Sequence, residues 1–146
     1  MDLGANLRGV DMGPTALRIA GIVEALRAIG HDVTDHDEVQ IPSRVSLRAD
    51  DSSAKYLPAI AEACSRLYDV ARAAKNRGSI PVFLGGDHSI AAGTIAGVAS
   101  HYRDHGERLG VIWFDAHTDM NTPETTVSGN VHGMPLAALL GYGDPS

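Results

Sequence analysis

Two short, almost wholly apolar runs constrain this chain most: Ile80-Pro-Val-Phe-Leu84 and Leu109-Gly-Val-Ile-Trp-Phe114. Runs of this length without polar alternation read as strands that need cover on both faces. Helical stripes stand between and around them. That order points to an α/β fold, with a mostly parallel sheet covered by helices. Such sheets gather their chemistry at the carboxyl ends of the strands. Both runs pass directly into reactive residue types, Gly85-Gly-Asp-His88 after the first and Asp115-Ala-His-Thr-Asp119 after the second.

The remaining pattern fits helices and loops. Pro14 suits a helix start, and Leu17, Ile19, Ala20, Val23, Leu26 and Ile29 form a helical stripe stopped by Gly30. His31 to Val39 is expected to be a short polar strand around Val33. Asp51, Ser52 or Ser53 would cap a second helix, with Leu57, Ile60, Ala61, Cys64, Leu67, Tyr68 and Ala71 on one face. Pro58 must then sit in its first turn, or the helix starts later. A small-residue helix is expected from about Ser89 to Tyr102, its Gly93 and Gly97 permitting close packing. A polar loop follows over Thr122 to Val131, and Pro135 to Leu140 starts another helix.

Bulk properties narrow the function. The 146 residues suffice for one domain, and a net charge of −6 argues against a nucleic-acid partner, which needs clustered Lys and Arg. The one cysteine, Cys64, rules out an internal disulfide and fits a reducing cytoplasm. The start of the chain lacks the apolar segment of a signal peptide. The most apolar helical stretch, Ile90 to Ala99, is too short to span a bilayer.

The chemistry lies in the alternation. On an extended chain i, i+2 and i+4 share a face, so Asp115, His117 and Asp119 converge if the backbone stays extended. Carboxylates with imidazole suit a divalent first-row ion. His88 alone reads as a structural residue of a Gly-Gly turn. If the two runs are near neighbours, it becomes a fourth ligand. His132, in Ser128-Gly-Asn-Val-His-Gly133, is either a solvated loop residue or a proton shuttle, since imidazole titrates near neutrality. Asn121, Ser128 and Asn130 are able to hydrogen-bond a polar substrate or only their own turns.

Other sites fail on sequence. Gly85 and Gly86 lack the Lys-Ser/Thr of a phosphate loop. Ser89 is not within a Gly-x-Ser-x-Gly elbow. Cys64 lies on an apolar helix face and reads as core. His31, His36, His101 and His105 have no partner pattern and read as surface residues.

With these motifs in order, the chain resembles the arginases of the ureohydrolase family. The resemblance rests on Gly9-Val-Asp-Met-Gly-Pro14, Gly85-Gly-Asp-His-Ser89, Asp115-Ala-His-Thr-Asp119 and Ser128-Gly-Asn-Val-His-Gly133. The stretch Asn121-Thr-Pro-Glu-Thr-Thr-Val-Ser-Gly-Asn-Val-His132 resembles arginases rather than agmatinases. The resemblance implies a three-layer α/β/α sandwich around two Mn²⁺ ions. It implies hydrolysis of L-arginine to L-ornithine and urea by a hydroxide held between the ions. By motif match, His88 and Asp119 hold one ion, His117 the other, and Asp115 bridges both. His132 moves the proton, and Asn121, Ser128 and Asn130 meet the α-carboxylate end of arginine. The family also implies a homo-oligomer, a trimer or hexamer.

The family pattern has a strand ahead of Met1, and two further metal-binding aspartates and a guanidinium-binding acid after Ser146. The expectation is therefore one partial domain over 1–146, clipped at both ends, with an incomplete sheet. Four ligands are few for two ions that each prefer about six. These residues alone are expected to be inactive or nearly so. Agmatinase or another amidinohydrolase is the alternative activity. A non-catalytic metal-binding fragment is the alternative of a different class.

Overall fold

The computed structural model describes residues 1–36, 38–49 and 53–143. Five α-helices form among them, besides three short 3-10 turns: α1 (Gly13–Ile19), α2 (Ile22–Ala28), α3 (Leu57–Asn76), α4 (Ile90–Asp104) and α5 (Pro135–Leu139). The first expected helix is thus two. Gly21 takes φ 85°, outside the helical region, and the chain restarts at Ile22. The apolar stripe lies largely open, with Ile19 84% and Ile29 72% exposed. Periodicity states which face is apolar, not what covers it.

The helix α3 begins later than a cap at residues 51–53 would set it. Asp51 and Ser52 lie outside the described residues, and the N-cap position is Tyr56 rather than Ser53. Pro58 then falls in the first turn, where a missing N–H costs no helical hydrogen bond. Ile60, Ala63, Leu67 and Ala71 form the buried face. Gly78 at φ 74° follows the last turn.

The long helices α3 and α4 pack closely because α4 is cut back to glycine at the crossing. A Cβ on Gly93 would stand 2.8 Å from Cys64 Cα, and one on Gly97 would stand 2.8 Å from Ala71 Cβ. No side chain fits those gaps without separating the helices. Tyr68 Oη donates to Ser100 Oγ at 2.7 Å across the same interface. The expected role of Gly93 and Gly97 is therefore what the packing shows.

A second cluster, Leu3, Ala54, Ile60, Val131 and Met134, joins the start of α3 to the approach to α5. Cys64 packs against it, half-buried, its thiol held at 3.3 Å from the Ser89 carbonyl and its ionisation disfavoured by burial. The N-terminal segment before α1 has only one short 3-10 turn, Val10–Met12, yet Leu3 is 1% exposed. It threads between the turn carrying His88 and the turn carrying His132.

No strand forms among the described residues. The runs 80–84 and 109–114 share no ladder hydrogen bond, nor does 31–39 form one over its described part. Much of their apolar surface faces outward, with Ile80 85%, Val82 65%, Ile112 82% and Phe114 93% exposed. A strand exists only through its neighbour's N–H and C=O groups. These runs carry strand composition without a paired neighbour, and the expected burial on both faces is absent. No described helix is long and apolar enough to cross a membrane.

Candidate metal centre

The two apolar runs do not pair, but they deliver their ends to one place. His88 sits in the turn that opens α4, where its carbonyl accepts from Ala91 N at 3.0 Å. That turn is fixed from beneath by Asp87, whose buried carboxylate accepts from Gly4 N and Ser89 N, each at 3.0 Å, and from the Ser89 hydroxyl. Asp87 N in turn donates to the Met1 carbonyl at 2.9 Å. Gly4 also accepts from His132 N at 3.3 Å, so the N-terminal segment ties the His88 and His132 turns together. A Cβ at Gly4 would lie 2.9 Å from His132 N and 3.0 Å from Asp87 Oδ1.

The Asp115–Asp119 segment does not stay extended. Asp115 Oδ1 accepts from His117 N at 2.8 Å, and Asp119 takes φ 50°. That left-handed conformation is uncommon outside glycine, and Asp is among the residues that tolerate it. It aims the Asp119 carbonyl at the start of α5, where it accepts from Leu136 N at 3.1 Å and Ala137 N at 3.2 Å. The helix start holds the backbone, and the backbone holds the carboxylate.

Three ligand atoms converge as a result. His88 Nδ1 stands 2.9 Å from Asp115 Oδ2 and 2.8 Å from Asp119 Oδ2. The three ligand atoms lie within 4.8 Å of one another. His117 lies outside that triangle, with its side chain 84% exposed and Nδ1 3.5 Å from the other Asp115 oxygen, Oδ1. Asp115 thus offers one oxygen toward His88 and Asp119 and the other toward His117.

The electrostatics of the triangle favour a cation. One imidazole nitrogen faces two carboxylates, and a single N–H satisfies at most one. Asp119 Oδ2 is sealed from solvent and accepts no hydrogen bond despite its closeness to His88. Burial raises the Asp119 carboxyl above its ordinary range; neighbouring Asp115 adds to this and His88 opposes it. Asp115 is shifted the other way, chiefly by the hydrogen bond from His117 N. Oxygen and imidazole donors around an unsatisfied buried carboxylate fit a divalent first-row ion.

These groups open into a cleft of about 360 Å³. Its lining contains every residue singled out by sequence: His88, Asp115, His117, Asp119, Asn121, Ser128, Asn130 and His132. It also contains Thr118, Thr126 and Gly133, which sequence reasoning passed over. Thr126 had one usable signal, its place two residues before Ser128 in a polar loop. Its hydroxyl accepts from Gly129 N at 3.1 Å. Ser128 Oγ accepts from Asn130 N at 3.2 Å, so Ser128 serves its own turn and keeps its hydroxyl proton for another partner. Trp113 was also missed. Its ring stacks on His88 with centroids 4.4 Å apart, fixing the imidazole plane.

The other histidines stand apart from this cleft. His31, His36 and His105 are exposed as expected. His101 is half-buried instead, with Nδ1 2.7 Å from Asn76 Oδ1.

Known proteins resemble this chain along its whole length. Residues 1–145 match the family described as the arginase family. The chain is 52% identical over 147 residues to the arginase of Bacillus caldovelox, covering 100% of this chain and 48% of that relative. The crystal structure of native B. caldovelox arginase at pH 5.6 superposes with a TM-score of 0.91 at 53% identity, covering 99% of this chain and 48% of that one. Arginase from Entamoeba histolytica, solved in complex with L-ornithine, gives 0.82 at 36% identity, covering 97% and 46%. The chain therefore spans about half the length of the relatives it matches, and its backbone superposes on that half. It is a member of the arginase family.

Proposed function

We propose that the protein carrying this chain hydrolyses L-arginine to L-ornithine and urea at a binuclear Mn²⁺ site, of which these residues build the first half. The observation that carries the reading is the split reach of Asp115, with Oδ2 2.9 Å from His88 and Oδ1 3.5 Å from His117. A carboxylate placed so suits a bridge. His88 and Asp119 would hold one ion, His117 the other, and Asp115 both. When bound, paired divalent ions make hydroxide available near neutral pH, which a weak electrophile such as guanidinium requires.

The chain's own residues account for the rest. Asp115 and Asp119 supply the negative charge that offsets divalent cations at this site. Asn121, Ser128 and Asn130 stand in the same cleft and supply donors for an α-carboxylate. His132, also in the cleft, passes a proton to the departing amine. Around this site we infer the three-layer sandwich with a parallel sheet, a cytoplasmic location consistent with the single cysteine, and assembly into trimers or hexamers.

The experiment is to supply Mn²⁺ and measure urea release from L-arginine and from agmatine, which lacks the carboxylate. The reading expects arginine to be preferred and His132→Ala to lower kcat by about 100-fold or more, the range for a lost acid–base group. Equal or better use of agmatine would assign the protein to another amidinohydrolase activity. Metal binding with no hydrolysis of either compound would reduce it to a metal-binding protein.

A further inference from the structure

The loop that carries Ser128 and Asn130 is held from outside the cleft by one residue. Lys55 donates twice to it: Nζ to the Ser128 carbonyl at 2.7 Å and the backbone N to the Gly129 carbonyl at 2.9 Å. Successive carbonyls are thus pinned from a segment more than 70 positions away in sequence. The pinning segment is itself over-determined. Ala54, on one side of Lys55, is 3% exposed and belongs to the buried cluster. Tyr56, on the other side, adopts φ 59° and ψ 18°, a left-handed conformation that is strained for an aromatic residue. Arg44 lies over the Tyr56 ring at 5.2 Å and reaches the Ala5 carbonyl at 3.0 Å, holding that strained residue against the N-terminal segment.

Strain of this kind persists only where the surroundings enforce it. Here it turns the chain into α3 while leaving Lys55 directed at the loop. Within the loop, Ser128 Oγ and Thr126 Oγ1 are both engaged by backbone N–H groups, so the loop's shape sets where Ser128 and Asn130 present their free donors. We propose that Lys55 is a positioning residue that sets the protein's preference for guanidino substrates bearing an α-carboxylate, by fixing the Thr126–Asn130 loop. The proposal rests on the arginase reading above. It assigns Lys55 no contact with the reacting carbon or with metal ligands.

Lys55→Met removes the ammonium donor and keeps most of the stem, and Lys55→Arg restores a donor. In the protein with Mn²⁺, Lys55→Met is expected to raise KM for L-arginine about fivefold to tenfold, the effect of one hydrogen bond. Its kcat should stay within about twofold and its KM for agmatine should not change, with Lys55→Arg recovering part of the loss. Unchanged KM for arginine, or equal loss for arginine and agmatine, overturns the proposal. Amide hydrogen exchange gives a readout free of catalysis. Gly129 and Asn130 should exchange about tenfold faster or more in Lys55→Met, as expected for a loop released from a tie. Unchanged exchange there overturns the positioning role. If the wild-type protein hydrolyses no guanidino compound, the functional reading fails and takes the preference with it, while exchange separately decides whether Lys55 holds the loop.

Discussion

The His88 imidazole lies against the Trp113 indole, centroids 4.4 Å apart and planes 20° from parallel. Trp113 belongs to the run that leads to Asp115, so one apolar side chain sets the ring plane of a ligand from the other run. The indole does for His88 what an outer hydrogen-bond partner does for many metal-bound histidines. Trp113→Leu is expected to weaken Mn²⁺ binding about tenfold, the lower end for loss of an outer-shell partner, with Trp113→Phe closer to wild type. Calorimetric titration measures both. As the single tryptophan, Trp113 should also lose fluorescence when Mn²⁺ binds beside it.

Asp119 gives a prediction of opposite sign with and without metal. Its folded carboxyl is raised above the ordinary value of 3.8, chiefly by burial. A raised carboxyl binds more protons in the folded state than in the unfolded one. Stability from this group is therefore present below about pH 3.8 and lost as pH rises through the folded value. Without metal, Asp119→Asn should be more stable than wild type at pH 7, and the difference should vanish in acid. With Mn²⁺ at about 100 times its dissociation constant, wild type should gain about 2.7 kcal/mol and the variant little. Thermal melts at two pH values, with and without Mn²⁺, measure all four cases.

Gly97 separates packing from propensity. Alanine is the better helix former by about 1 kcal/mol, so local preference alone predicts that Gly97→Ala stabilises. The close crossing predicts the reverse, because the new Cβ meets Ala71 Cβ at 2.8 Å. We expect a net loss of about 1–3 kcal/mol from overpacking, measured by urea denaturation. A neutral or stabilising result would mean that α3 and α4 separate more easily than their contacts suggest.

The sequence makes the residues around the cleft easier to read than the path of the chain to them. The eight residues chosen from alternation, loop polarity and family resemblance share one cleft, because ligand types at tight spacing constrain chemistry directly. The route to that cleft was not legible. Alternation suggested an extended Asp115–Asp119, whereas a turn with Asp119 at φ 50° brings His88 between the two carboxylates and leaves His117 outside the triangle. That turn depends on the distant backbone of α5, which local spacing does not encode. Helices α3 and α4 were readable because each carries its apolar face and close-packing residues in its own sequence. The strands were not, because Ile80–Leu84 and Leu109–Phe114 state a need for neighbours without supplying them. Leu3, 1% exposed, gave no warning at all. An isolated leucine between Asp2 and Gly4 has no period from which to infer burial.

The most direct test of the account is Mn²⁺ binding to the purified protein, followed by calorimetry and electron paramagnetic resonance, in wild type, Asp115→Asn and Ser128→Ala. The account predicts saturable binding in wild type, its loss below detection in Asp115→Asn, and unchanged binding in Ser128→Ala, whose hydroxyl faces the cleft without being a metal ligand. Saturable binding of equal strength in Asp115→Asn, or none in wild type, would contradict a metal centre built on the Asp115 carboxylate.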